Sequence, residues 1–489
     1  MCPGLPGVRR FGLRCLTWAV LISAVASPGW AAPRYGRPGT YTVDGSPIGV
    51  RAATIDTQPG RDLVTANEAG AEGPSLSFLY NRGLGSFFPE QRMGLSSADY
   101  IVQAVAAGDF NADGRDDLAV AVDDVSVLPG VGTVLVLLNR GNGFMEAVPY
   151  TLRGLFPRCL EAVDVTGDGA LDLVVCHSRS LGGNVVGMIT VLAGQRTGDT
   201  PNGAFQEVYS NTVGRGPTAA SAGDLDGDGL TDVLVADGTE RRVLILYGSA
   251  TVARFEPPVE LGTADGPAAA LVHQVPGQPL PQALVATAPR QLLRFRQVSP
   301  RAFAAPVEQN IALLPSAMSL ADVDDNGLED LLVVSTQGVD LFYGQADGSF
   351  DFGESVVASR ELDALTVADL NGDGMPDVAA SASSQDKVTV ILNGTDVPFT
   401  PAPTATATPT GGTPTPTATR TGGSGCPGDC DGGGTVAINE LVTGVNIALG
   451  NAAVGTCPAF DLDGSGGVMI NELIAAVNSA LNGCAGPAT

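Results

Sequence analysis

Basic residues are scarce in this 489-residue chain: 26 Lys plus Arg stand against 52 Asp plus Glu, for a formal net charge of −26, and Lys387 is the only lysine. Phosphate backbones are held by clustered cations, so this balance excludes a nucleic-acid binder and disfavours anionic membrane surfaces. Histidine is nearly missing too, with only His177 and His273, and neither has a nucleophile motif beside it. No G-x-S-x-G, HExxH, phosphate-binding loop or CxxC occurs, which leaves little support for catalysis or thiolate metal binding. Charged residues make up only 16% of the chain and hydrophobic residues 44%, enough apolar material for a large core and against disorder. The 64 glycines and 34 prolines demand frequent turns.

Long apolar runs are absent after the first residues. Arg9, Arg10 and Arg14 precede an apolar stretch, Cys15 to Ala26, that ends in Ala24-Val25-Ala26. It is too short for ~30 Å of hydrocarbon and reads as a secretory signal over residues 1–26, with cleavage there or as late as Ala32. The expected destination is secreted or cell-surface, with no membrane span after cleavage; Sec and twin-arginine export stay undecided. Cys2 and Cys15 leave with the signal, and the six remaining cysteines suit disulfides in an exported chain. Cys159 and Cys176 flank one hairpin-like segment and are expected to pair. Cys426, Cys430, Cys457 and Cys484 allow three pairings among which the sequence does not choose.

What is abundant is one recurring segment, an apolar strand entering an acidic Gly-containing loop from which a second apolar strand leaves. Its five full copies carry oxygen-bearing side chains at positions 1, 3, 5 and 9 and Gly at 6. They are Asp109, Asn111, Asp113 and Asp117; Asp164, Thr166, Asp168 and Asp172; Asp224, Asp226, Asp228 and Asp232; Asp322, Asp324, Asn326 and Asp330; and Asp369, Asn371, Asp373 and Asp377. Ca²⁺ takes six to eight oxygens at ~2.3 to 2.6 Å, and alternating Asp or Asn in a tight loop supplies them, with a backbone carbonyl at position 7. That carbonyl belongs to Arg115, Ala170, Leu230, Leu328 and Met375. An Asp-Gly hairpin turn is the plain alternative for one copy, and its repetition five times at one spacing argues against it. About five Ca²⁺ are therefore expected here, with the Thr166 site the weaker.

First positions lie 55, 60, 98 and 47 residues apart. The long gap holds a metal-free repeat, whose strands Ala268–Val272 and Ala283–Ala286 remain while His273, Val275 and Pro281 stand where ligands would be. Upstream, Arg51–Asp56 leads through a shortened loop into Asp62-Leu63-Val64. Edge-like runs at 133–138, 243–247 and 388–392, followed by Gly-Phe signals such as Gly143-Phe144 and Gly348-Ser349-Phe350, complete a unit of about fifty residues. Seven such units predict an all-β fold, a seven-bladed β-propeller over residues 40–395. The last unit lacks a fourth strand at Asn393-Gly394, and Thr40–Asp44 is left over to supply it and close the ring.

These loops resemble the FG-GAP or VCBS repeat of integrin α-like propellers. The resemblance implies structural Ca²⁺ on one face of the ring and ligands on the other face or the rim, here an extracellular protein or glycan.

Residues 400–425, rich in Thr, Pro, Ala and Gly, read as a solvated spacer. A second repeat at 426–484 follows, offset by 32. Asp429, Asp431, the Thr435 carbonyl and Glu440 match Asp461, Asp463, Ser465, the Gly467 carbonyl and Glu472 in two twelve-residue EF-hand loops, which have room for up to two Ca²⁺. Each runs into a short helix, whose expected face is Leu441, Val445, Ala448 and Leu449 in the first and Leu473, Val477, Ala480 and Leu481 in the second. The pair resembles a dockerin module, which implies a cohesin-like partner reading Ile438-Asn439 and Ile470-Asn471; a small stabilising cap is the other reading. Together these features predict a non-catalytic exported propeller that presents a binding surface and is tethered through its C-terminus. An extracellular polysaccharide-degrading enzyme with such a tail, hydrolase or lyase, is the alternative. Twenty-two of the 52 acidic residues fall at ligand positions.

Overall fold

A computed structural model describes residues 35–394 except 37, 69, 71–72, 128–129, 142, 182–183, 251–253, 312–313, 336 and 357–360. Beyond them it describes 428–430, 436–448, 452, 454–460, 468, 473, 476–477 and 479–480. The expected signal (1–26) and spacer (400–425) lie outside the described residues. Two compact units are present, Met1–Thr404 and Ala405–Thr489.

The first unit is seven four-stranded antiparallel sheets. Six blades are continuous in sequence and are numbered 1 to 6 in chain order: 47–94, 100–151, 155–212, 217–262, 267–310 and 315–356. Blade 2, for example, has strands Tyr100–Gly108, Asp117–Asp124, Val131–Leu137 and Val148–Thr151. Blade 7 takes Ala364–Ala368, Asp377–Ala382 and Lys387–Ile391 from the end of the unit and Gly39–Thr42 from its start, with Gly39 opposite Val390 and Thr42 opposite Lys387. The leftover N-terminal strand thus closes the ring as expected, and the edge of Lys387–Ile391 is covered. Tyr41 of the closing strand is buried edge-on against Phe87 of blade 1, with ring centroids 5.3 Å apart.

Alternation within the second strands explains why they read as unbroken apolar runs. In blade 2, Leu118, Val120 and Val122 pack with blade 1 against Leu76 and Phe78, while Ala119 and Ala121 pack with blade 3 against Leu173 and Val175. Both faces of every such strand are buried, so period 2 disappears from the pattern. Seven such clusters join each blade to the next and the last to the first. First strands line the centre and are rich in small residues, as in Pro217–Gly223 and Pro267–His273. Among the described residues their inner edges have no partner strand, and side chains of neighbouring blades cap exposed N–H groups. Thr366 Oγ1 accepts from Ala52 (3.2 Å), Ser221 Oγ from Val272 (3.2 Å) and Glu161 from Ala222 (3.4 Å).

Three expectations change. The runs at 133–138, 243–247 and 388–392 are third strands with a neighbour on each side, not edges. The loop of the first repeat is not shortened: Ala53 pairs with Asp62 as Gly108 pairs with Asp117, so Thr54–Asp62 spans the full nine positions. In blade 5, His273 pairs with Gln282 and so ends its strand; the ligand positions are held by Gln274, Pro276, Gln278 and Gln282, one place away from the expected His273, Val275 and Pro281.

In the second unit the helix Ile438–Ala448 packs around Ile447, Cys457, Phe460, Val468 and Ala476. Its core face is Leu441, Gly444 and Ile447; Val445 and Ala448 of the expected face are exposed. The reason is Phe460, whose ring lies so close over Gly444 that an added Cβ would sit 2.2 Å from it. Cys430 pairs with Cys457, one of the open alternatives.

Candidate metal sites

All five acidic loops sit at the same end of the ring, between the first and second strands of blades 2, 3, 4, 6 and 7. Their backbone is set by the two residues that turn it. Position 6 glycines (114, 169, 229, 327, 374) have φ from +82° to +87°, a region closed to most side chains. Position 4 is left-handed too, at Ala112 (+58°) and Asp325 (+57°) at a cost on the order of 1 kcal/mol each. An apolar position 2 anchors each loop: Phe110, Val165, Leu225, Val323 and Leu370 are buried in the clusters between blades.

Within this frame the candidate ligand side chains organise their own loop. Position 1 carboxylates of Asp109, Asp164, Asp224, Asp322 and Asp369 accept the N–H of the position 6 glycine at 2.7 to 2.9 Å. Position 5 oxygens, on Asp113, Asp168, Asp228, Asn326 and Asp373, accept the N–H of position 7 at 2.7 to 3.0 Å. That bond orients the peptide carrying the carbonyl expected from Arg115, Ala170, Leu230, Leu328 and Met375. At position 3, Asn111 and Asn371 accept the N–H of Asp113 and Asp373, and Thr166 turns its hydroxyl onto Asp164 at 3.3 Å.

Position 9 has a second role that sequence reasoning missed. Asp117, Asp172, Asp232, Asp330 and Asp377, with Asp62 of blade 1, are at most 1% exposed. One oxygen of each accepts the N–H of position 2. The other accepts, at 2.7 or 2.8 Å, an N–H towards the end of the third strand or just past it: Asn139, Gly194, Gly248, Gly344, Asn393 and Asn81. Burial raises these carboxyls from 3.8 to about 6 at Asp62, Asp117, Asp232 and Asp330 and to about 7 at Asp377, and raises Asp172. In blade 5, Gln282 replaces the carboxylate and its amide bonds His273 Nδ1 (2.9 Å) and donates to Gly348 O of blade 6 (2.7 Å). His273 and His177 are buried, which lowers each to about 4, and His177 Nε2 lies 2.9 Å from Thr190 Oγ1.

A recurring Asn latches neighbouring loops together. Asn139 Nδ2 donates to Ile55 O of blade 1 (2.7 Å), Asn81 to Leu370 O of blade 7 (2.8 Å) and Asn393 to Val323 O of blade 6 (2.6 Å). The signal was present in the chain as the Leu-x-Asn or Leu-Asn ending of these third strands.

Oxygen donors of three residues converge in two loops. Asp224, Asp226 and Asp232, and Asp322, Asp324 and Asp330, each offer carboxylate oxygens within 4.8 Å of one another. Among the described residues Asp324 Oδ1 is buried and has no hydrogen-bond donor, an acceptor open to a cation. This all-oxygen set fits a hard divalent ion such as Ca²⁺ and not a soft one. Arginines border three of the loops. Arg301, carried on the extra hairpin of blade 5 (Gln297–Ser299 with Ala302–Phe303), bonds Asp226 and Glu256 and lies 4.4 Å over the Tyr247 ring. Arg115 holds Asp113 at 2.7 Å, and Arg196 donates to the Asp168 carbonyl. Cys159 pairs with Cys176 across the two strands that leave the blade 3 loop, as expected.

In the C-terminal unit, Glu440 is buried and accepts N–H bonds from Cys430 (2.7 Å) and Ala437 (2.8 Å), which folds its own loop around it. Asp429 is described; Asp431, Thr435, Asp461, Asp463, Ser465, Gly467 and Glu472 lie outside the described residues, as do Cys426 and Cys484.

Residues 322–380 match the FG-GAP-like repeat family. The chain is 28% identical over 178 residues to integrin alpha-4 of Xenopus laevis, an alignment covering 34% of this chain and 16% of that protein. The chain thus spans about a sixth of the curated relative's length. A solved structure titled BBS1N in complex with ARL6DN, soaked with lead, superposes with a TM-score of 0.50 at 13% identity, covering 72% of this chain and 94% of that one; it shares the fold. The described ring is a seven-bladed β-propeller that carries an FG-GAP-like repeat at 322–380 and is similar over a third of the chain to an integrin α subunit.

Proposed function

We propose that the protein is an exported, non-catalytic propeller, stiffened by about five Ca²⁺ in its acidic loops, that presents a binding surface to an extracellular protein or glycan. The observation that carries the reading is the repetition of one loop geometry at one end of a closed ring, with the buried, donorless Asp324 oxygen inside it. Asp109, Asn111, Asp113 and Asp117 and their counterparts in the other four loops would hold the ions, and bound Ca²⁺ would supply the positive charge these carboxylates lack. The chain's own part is to turn each loop at its glycine, to anchor it through position 2, and to fix its second strand through position 9. Metal at one end leaves the opposite end of the strands free for recognition. The Cys159–Cys176 disulfide supports an oxidising, extracellular setting. In the C-terminal unit we infer up to two further Ca²⁺ sites and a tether to a cohesin-like partner.

The test is calorimetric titration of the full chain with Ca²⁺, then retention of glycans and envelope proteins on the immobilised, Ca²⁺-loaded protein. Retention that EDTA abolishes is expected. Calcium-dependent release of products from a polysaccharide would replace this reading with the hydrolase or lyase alternative.

A further inference from the structure

Blades 3 and 4 leave a cavity of about 540 Å³ between them at the end of the strands opposite the acidic loops. Its position follows from register: Asp172 begins its strand at the metal end, and Ser178, opposite Leu155, lies at the other. One wall carries Phe156, 47% exposed and left-handed at φ +54°, a conformation bulky side chains avoid. Its N–H donates to buried Asp123 at 2.6 Å, so the ring is held out to solvent by its surroundings. Arg158 lies over one face of the ring, its guanidinium 5.9 Å from the ring centroid and without a salt bridge among the described residues. Arg215 faces them from blade 4 and is held at 3.3 Å by Glu240, which also pairs with Arg242; Arg242 has Asp237 and Glu260 as further partners. The disulfide Cys159–Cys176 ties together the two strands beneath, which pre-organises the wall.

We propose that this cavity binds a carboxylate-bearing sugar, a uronate unit of an acidic glycan. The inference rests on the binding-surface reading above and names its ligand class. An exposed aromatic ring with Val185 offers a flat apolar platform for the C–H face of a pyranose. Arg158 and Arg215 supply planar donors for the carboxylate, in a chain whose acids outnumber its bases twofold. Ser178 and Thr239 line the same cavity and carry hydroxyls of the kind that pair with a sugar's own. The volume lies within the range of small-ligand sites, roughly 300 to 1,000 Å³. An acidic peptide would satisfy the arginines and leave the platform unused, which decides for the sugar.

The experiment uses the full, Ca²⁺-loaded chain and fluorescently labelled trigalacturonate, with its methyl ester and a pentaglutamate peptide as comparison probes. Trigalacturonate is expected to bind, and to bind at least tenfold more weakly after Arg158→Gln or Phe156→Ala, both with an unchanged melting temperature. The methyl ester and the peptide are each expected to bind at least tenfold more weakly than the uronate. Arg254→Gln, at the metal end, is expected to change nothing. Binding that ignores Arg158→Gln and Phe156→Ala, equal binding of the ester, or tighter binding of the peptide overturns the assignment. If neutral glycans bind and the uronate does not, this site falls and the binding propeller stands; if no glycan or protein binds, both fall.

Discussion

The buried position 9 carboxylates make a quantitative prediction about pH and calcium together. Four of them, Asp62, Asp117, Asp232 and Asp330, are raised by burial from 3.8 to about 6, and Asp377 to about 7. A carboxyl raised on folding gives stability that is fully present below pH 3.8 and lost as pH climbs through its folded value. Fully ionised, a shift to about 6 costs about 3 kcal/mol per site, and roughly half of that develops between pH 5 and pH 8. The five together lose on the order of 8 kcal/mol over that range, comparable with the whole stability of a typical domain. In EDTA the propeller's Tm is therefore expected to be lower at pH 8 than at pH 5 by on the order of 10 °C. With Ca²⁺ the added positive charge favours the ionised form, so the curve flattens and the gap between calcium and EDTA widens as pH rises. Differential scanning calorimetry at pH 5, 6, 7 and 8 reads this directly. A metal-free Tm that does not move, or a gap that stays constant, refutes the reasoning.

Three further outcomes follow from particular contacts. Asn139→Ala removes the donor to Ile55 O and leaves that buried carbonyl unpaired, so urea unfolding should show a loss of about 2 kcal/mol; a change under half of that would deny the latch its role. Replacing Cys159 and Cys176 together by Ser opens a loop of sequence separation 17 and is expected to cost about 3 kcal/mol in a non-reducing denaturant melt, where a neutral result would show the bond to be redundant. Arg301→Gln removes the cation bound to Asp226 and should tighten one class of calcium site roughly tenfold by calorimetry. Unchanged titration curves would place Arg301 outside the blade 4 site.

The sequence alone determined whatever depends on near neighbours in the chain. A nine-residue loop with Asp or Asn at alternate positions and a left-handed glycine is a local object, so its five copies, their spacing and the seven-bladed ring were all legible, and the unpaired N-terminal strand pointed to closure. Register within degenerate copies was less legible: once Asp gave way to Gln274, Pro276 and Gln278, only pairing of His273 with Gln282 fixed which residues stood at the ligand positions. Tertiary structure alone decided what crosses from one blade to the next. It placed both oxygens of Asp377 on backbone groups of its own loop and of Asn393, set Asn139 against Ile55 of the preceding blade, and brought Arg301 to the acids of blade 4. It also brought Phe156 and Arg158 to face Arg215, more than fifty residues on. Such contacts leave no periodic trace, because each joins side chains far apart in sequence whose meeting depends on the stacking of whole blades.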